Sequence, residues 1–107
     1  MFNRRLLIDS GGKQQTYSAL EILVYTPDGD SVPLARVELT YNGESYLSHT
    51  DGKGIAVFYR VPTETEISYT ITAAGYNAAT GKWIIDTSVE YDTEYVVLSP
   101  SLTMILN

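Results

Sequence analysis

The residues of this 107-residue chain that could do chemistry are few and scattered. His49 is the single histidine, so no metal site can be built on several imidazoles. Beside Thr50 and Asp51 it could form a nucleophile–base dyad, but a half-exposed strand residue next to a turn is the plainer expectation. There is no cysteine, hence neither a thiolate nucleophile nor a disulfide framework. Asp28-Gly29-Asp30 offers two carboxylates where calcium needs six to eight oxygens, and Asp and Gly favour turns for their own reasons. The acidic group Asp86, Glu90, Asp92 and Glu94 reads as a solvated loop, with a cation site or a patch for a basic partner as the alternative. A carboxylate pair for glycoside hydrolysis need not be close in sequence, yet a small sandwich offers little cleft to hold a substrate. P-loop, dinucleotide and zinc spacings are missing. The expectation is a protein that is not an enzyme, with no catalytic residue, cofactor or metal.

Tyrosine is the residue type in excess. Nine of them cannot all enter a core of this size, and exposed tyrosine brings large contact area at low entropic cost. Tyr69 and Tyr76 are expected to pack inward. Tyr25, Tyr46, Tyr59 and Tyr91 are expected to contact a partner.

The elements that would position these residues follow from alternation. The chain is organised around Ser48 to Val61, a polar turn with Gly52 and Gly54 running into a strand whose Ala56 and Phe58 point one way; Pro62 should stop it. Before it come a strand over 20–26, ended by Pro27-Asp-Gly-Asp30, and a run over 34–41 with Ala35, Val37 and Leu39 on one face. Asn42-Gly43 between two alternating runs predicts a type I′ hairpin, returning through Glu44 to His49. After it, 66–74 carries Ile67, Tyr69, Ile71 and Ala73 on one face, 82–88 contains Trp83 and Ile85, and 93–98 follows an acidic link. No stretch has helical periodicity with caps. Seven or eight short strands with turn signals about every ten residues predict an all-β antiparallel sandwich.

The succession Val37-Glu-Leu39, Thr50-Asp-Gly-Lys-Gly-Ile-Ala-Val-Phe58, Val61-Pro62, Tyr69-Thr-Ile71 and Ala74-Gly-Tyr76 resembles the carboxypeptidase regulatory-domain-like group of prealbumin-type, immunoglobulin-like sandwiches, over about residues 20–100. The resemblance implies a seven-stranded, non-enzymatic module, usually one part of a larger surface or multidomain protein. In such modules these motifs are fold signatures: the Thr-Asp turn joins two strands and the Phe enters the core.

The sequence divides into a basic arm (1–19), the sandwich (20–100) and an apolar strand or tail (101–107). The arm has three basic residues against one acidic; the rest has four against twelve, so the net charge is −6 and the folded part should repel nucleic acid. The apolar run Leu6 to Ile8 is too short for a signal-peptide core, and no run reaches membrane length, so neither export by that route nor a membrane partner is expected. Arg4, Arg5, Leu6 and Leu7 at one end and Leu102, Met104 and Leu106 at the other are candidate docking residues. The leading expectation is an accessory (decoration or auxiliary) subunit of a phage particle, made in the host cytoplasm and docked on protein neighbours. The alternative is a glycan- or cell-surface-binding module of a larger secreted protein at the bacterial surface, with tyrosines and Trp83 as stacking platforms. A concave aromatic patch would favour the alternative.

Overall fold

The computed structural model describes residues 14–101. The candidate docking residues Arg4, Arg5, Leu6, Leu7, Leu102, Met104 and Leu106 lie outside them. Among the described residues are seven strands and no helix: β1 (Tyr17–Tyr25), β2 (Arg36–Tyr41), β3 (Glu44–His49), β4 (Ile55–Pro62), β5 (Ile67–Thr72), β6 (Ala79–Trp83) and β7 (Tyr91–Val97). One sheet has the order β4-β1-β7 and the other β3-β2-β5-β6, so the fold is an all-β sandwich.

The alternation that built the sequence reading also builds the core. Leu20, Ile22 and Val24 of β1, Val37 and Leu39 of β2, Ala56, Phe58 and Val61 of β4, and Ile67 and Ile71 of β5 are buried between the sheets. Burial of such side chains, at about 25 cal/mol per Å² of apolar surface, is the main stabilising term. The β2–β3 hairpin turns at Asn42 and Gly43 with φ of 51° and 79°, the two positive values a type I′ turn demands.

The turn before β4 is held by its own side chains. The Asp51 carboxylate accepts hydrogen bonds from the backbone N–H groups of Lys53 (2.8 Å) and Ile55 (3.0 Å), which hold its pKa below the usual carboxylate value. Thr50 is fully buried, and its hydroxyl accepts from Ala35 N–H at 2.8 Å and donates to the Val32 carbonyl at 2.7 Å, tying the loop before β2 to the end of β3. Gly54 (φ 78°) passes so near β1 that a Cβ would lie 2.7 Å from the Val24 carbonyl oxygen.

Four features depart from the sequence reading. The last strand is not antiparallel to its neighbour: β7 lies parallel to β1, in register from Ala19↔Tyr91 to Tyr25↔Val97. β1 begins at Tyr17, three residues inside the stretch read as arm, because Tyr17 and Ser18 pair with Pro62 and Val61, and β4 accordingly keeps Pro62 as its last residue. β7 begins at Tyr91, inside the stretch read as an acidic link. The sixth strand is 79–83, not 82–88, since Gly81 pairs with Tyr69 and Trp83 with Ile67. Ile85, the residue that drew the reading further on, is buried from the connection after β6, where its carbonyl accepts the Glu64 N–H at 2.7 Å.

Candidate functional site

The residues with catalytic potential do not converge. His49 is exposed at the end of β3, opposite Arg36. Asp51 is committed to its turn, as above. The Asp28–Asp30 loop is a turn closed on Thr26, whose carbonyl accepts Gly29 N–H (2.9 Å) and whose hydroxyl accepts Asp30 N–H (3.1 Å). Asp86 accepts from the N–H (2.9 Å) and hydroxyl (2.8 Å) of Ser88, bonds that lower its pKa. Glu90 offers its carbonyl to Ala19 N–H at 3.0 Å. Among the described residues no group of three or more His, Cys, Asp or Glu side chains could hold a metal ion, and no helix could cross a membrane.

Asp92 and Glu94 behave differently from a solvated loop. They alternate with the outward residues Thr93 and Tyr95 and share the face of buried Val96, so both carboxyls lie half-buried on the inner side of β7. Burial, then the hydrogen bond and the charge of Asp92, raise the pKa of Glu94 to about 7. Glu94 therefore keeps its proton in slightly acid solution.

What does converge is aromatic. At the lateral opening between β3 and β4, Tyr41 and Phe58 face inward, and with Tyr46, Tyr17 and Tyr59 they line an open cleft of ≈ 370 Å³; Asn42, Gln15 and Arg60 supply its polar groups. Tyr46 stacks on Tyr41 with centroids 4.4 Å apart and planes 11° apart. Burial, then the Tyr46 phenol, raise the Tyr41 pKa, so this hydroxyl stays neutral.

The other side of the cleft is shaped by a β-bulge. Ser18 pairs with Val61 and Leu20 with Phe58, leaving Tyr59 and Arg60 both opposite Ala19. Arg60 takes the left-handed backbone conformation (φ 57°), rare for an arginine, and its guanidinium lies 4.3 Å from the centre of the Tyr17 ring. Such strain costs of order 1–3 kcal/mol and persists where the surroundings fix it.

A second aromatic surface covers the outer face of the three-stranded sheet. Tyr59 (76% exposed), Tyr91 (55%) and Tyr95 (69%) stand on it with Val97 (55%). Tyr25 stacks on Tyr95 at 6.4 Å. Glu21 lies amid these rings, accepting a hydrogen bond from the Thr93 hydroxyl at 3.1 Å; burial first, then the nearby Glu21, raise the Tyr91 pKa.

Of the four tyrosines expected to make contacts, Tyr46 and Tyr59 thus line the cleft, and Tyr59 also stands on the outer face with Tyr91 and half-buried Tyr25. Tyr69 and Tyr76 pack against the core, Tyr69 stacked on Trp83 at 4.0 Å and lying across Gly81. Trp83 is therefore occupied by Tyr69 and takes no part in the cleft. Sequence reasoning missed Tyr17, Tyr41 and Phe58 as cleft residues, and Arg60 altogether. The hairpin did signal that Tyr41 and Tyr46 flank one turn.

These features define a small two-sheet β-sandwich with exposed aromatic surface. No family model matches the sequence, and no curated protein matches it. Solved structures do match in fold. The Bacillus anthracis TIE protein superposes with a TM-score of 0.68 at 23% identity, over 91% of this chain and 19% of that one. Chlorocatechol 1,2-dioxygenase from Pseudomonas putida gives 0.65 at 9% identity, over 79% of this chain and 61% of that one. Acinetobacter radioresistens catechol 1,2-dioxygenase gives 0.62 at 12%, over 79% and 53%. The chain thus spans about a fifth of the first and roughly half to three-fifths of the dioxygenases. At these identities the likeness is one of fold alone.

Proposed function

We propose that the domain is a non-enzymatic recognition module of the carboxypeptidase regulatory-like, prealbumin type, and that the cleft between β3 and β4 takes a sugar ring of a glycan. The supporting observation is the convergence of five aromatic side chains with Asn42, Gln15 and Arg60 at one concave opening. The apolar faces of a pyranose pack on tyrosine rings, and amide, guanidinium and phenol groups at the rim meet its hydroxyls. The Tyr41–Tyr46 stack holds one wall in place before any ligand arrives, which lowers the ordering cost of binding. The test is titration of the full chain with a panel of mono- and oligosaccharides, followed by calorimetry or amide chemical shifts. Tyr46→Ala should weaken binding about tenfold or more with an unchanged far-UV spectrum, in line with stacking worth roughly 1 kcal/mol or more plus the buried area. Absence of saccharide binding into the millimolar range refutes the reading.

A second reading is favoured by the outer sheet face: an accessory subunit of a phage particle, docked on protein neighbours. A patch of exposed tyrosine on a flat sheet has the composition of a protein interface. Its test is co-sedimentation with particles, comparing the full chain with one lacking residues 1–13. The cut stops there, not at residue 19, because β1 already begins at Tyr17. Equal occupancy of both forms would defeat docking through the arm. The two readings place the protein at a bacterial surface and in a virion, respectively.

A further inference from the structure

The outer face of β4-β1-β7 holds a narrower feature than a tyrosine patch. β1 is the central strand, with β4 and β7 on its two sides, each about 4.8 Å away. Ala19 of β1 has Tyr91 as its neighbour on β7 and the bulged Tyr59 on β4. Two tall rings therefore rise from backbones about 10 Å apart, with a methyl group as the floor between them. The next outward residue of β1 is Glu21, so the slot is closed at one end by a carboxylate. That carboxylate is held by Thr93 and pushes the Tyr91 pKa up, after the effect of burial and together with the Tyr59 phenol. Glu21 and Tyr59 therefore both act on Tyr91.

An aromatic-walled, alanine-floored slot ending in a carboxylate matches a ligand with an apolar shaft and a cationic head. Ring faces attract cations electrostatically, and a carboxylate adds a charge-assisted hydrogen bond. Arg60, on the adjacent β4 bulge, is turned onto Tyr17. Charge favours the same class of partner: the described residues carry four basic side chains against twelve acidic ones. We propose that the Tyr59–Ala19–Tyr91 slot with Glu21 at its end receives a lysine or arginine side chain presented by a protein partner. This site shares only Tyr59 with the cleft of the glycan reading, and a domain that bound no sugar would give the same result here.

The experiment is an amide chemical-shift titration of the full chain with three blocked tripeptides, Gly-Lys-Gly, Gly-Arg-Gly and the uncharged Gly-norleucine-Gly, and with methyl glucoside. The basic peptides should shift Ala19, Glu21, Tyr91 and Thr93 saturably in the millimolar range and bind about tenfold more tightly than the norleucine peptide, as expected for a cation–π contact plus an ion pair. Glu21→Gln should remove most of that preference, and Tyr59→Ala, at an exposed ring, should weaken the lysine peptide about threefold or more. Equal binding of the norleucine and lysine peptides overturns the proposal. So do an undiminished lysine preference in Glu21→Gln, the same shifts from methyl glucoside, shifts confined to Tyr41 and Tyr46, or no shifts at all.

Discussion

Replacing Glu94 by glutamine should make the domain more stable at neutral pH and leave it unchanged in acid. In the folded state the pKa of Glu94 rises from its ordinary 4.5 to about 7, chiefly through burial and then through Asp92 two residues away on the same face. The native state therefore binds a proton that the unfolded chain releases. Its contribution to stability is present in full below about pH 4.5 and is lost as the pH rises through about 7. At 1.36 kcal/mol per pKa unit the whole difference is worth about 3 kcal/mol. Both carboxyls are only half-buried, and solvent screening reduces the effective figure to about 1 kcal/mol. Glutamine keeps the shape of the protonated acid and still offers Asp92 an N–H donor. Urea unfolding of wild type and Glu94→Gln at pH 4.5, 6 and 8 measures this directly. The curves should coincide at pH 4.5, and the variant's midpoint should lie about 0.5 M urea higher at pH 8, equivalent to about 4–8 °C in melting temperature. Taking the difference between variant and wild type cancels the other titrating groups. Parallel stability profiles across this range, or a wild type that is the more stable at pH 8, would refute the raised Glu94 pKa.

Thr50→Val removes a hydroxyl that serves two buried backbone groups, and should lower the unfolding free energy by about 2–4 kcal/mol in urea titrations, while Thr50→Ser should recover most of it. Gly81→Ala would set a Cβ 2.5 Å from the Tyr69 hydroxyl oxygen; the ring must leave Trp83, and the near-UV circular dichroism and tryptophan emission should change with the far-UV spectrum retained. Arg60→Gly relieves a left-handed backbone and should hold or raise stability by about 1 kcal/mol in thermal melts, while saccharide binding at the cleft falls.

The parts of the fold that rest on local pattern were legible. Asn42-Gly43, the alternation of Leu20, Ile22 and Val24, and the Thr50–Gly54 turn each carry their structural reason within a few residues. What needed distant partners was not. The parallel placement of β7 depends on its pairing with β1, some seventy residues earlier in the chain, and no local signal distinguishes it from an antiparallel edge. Strand β6 was misplaced because its Thr80-Gly81-Lys82 core has no apolar alternation; pairing with β5 makes it a strand. Tyr46 and Tyr59 were readable as contact residues from their surplus, but the cleft also needs Tyr41, Phe58 and Tyr17, which come together only when the sheets close. Arg60 depends on a bulge, and only its position just before Val61-Pro62 hinted at irregularity. Glu94 looked like loop acid, although its spacing to Val96 and Leu98 already placed it on the inner face.

The parallel β1–β7 pair has a mechanical corollary. Gln14 enters at one pole of the sandwich and Ser101, bonded to Gly75 beyond the far end of β5, leaves at the opposite one. A pull on both ends would load the seven residue pairs from Ala19↔Tyr91 to Tyr25↔Val97 sideways and all at once, in place of peeling them one by one. Resistance to such tension is set by the rate of unfolding, not by the equilibrium free energy, so this strand order would show itself as a high unfolding force when the domain is stretched from its two ends.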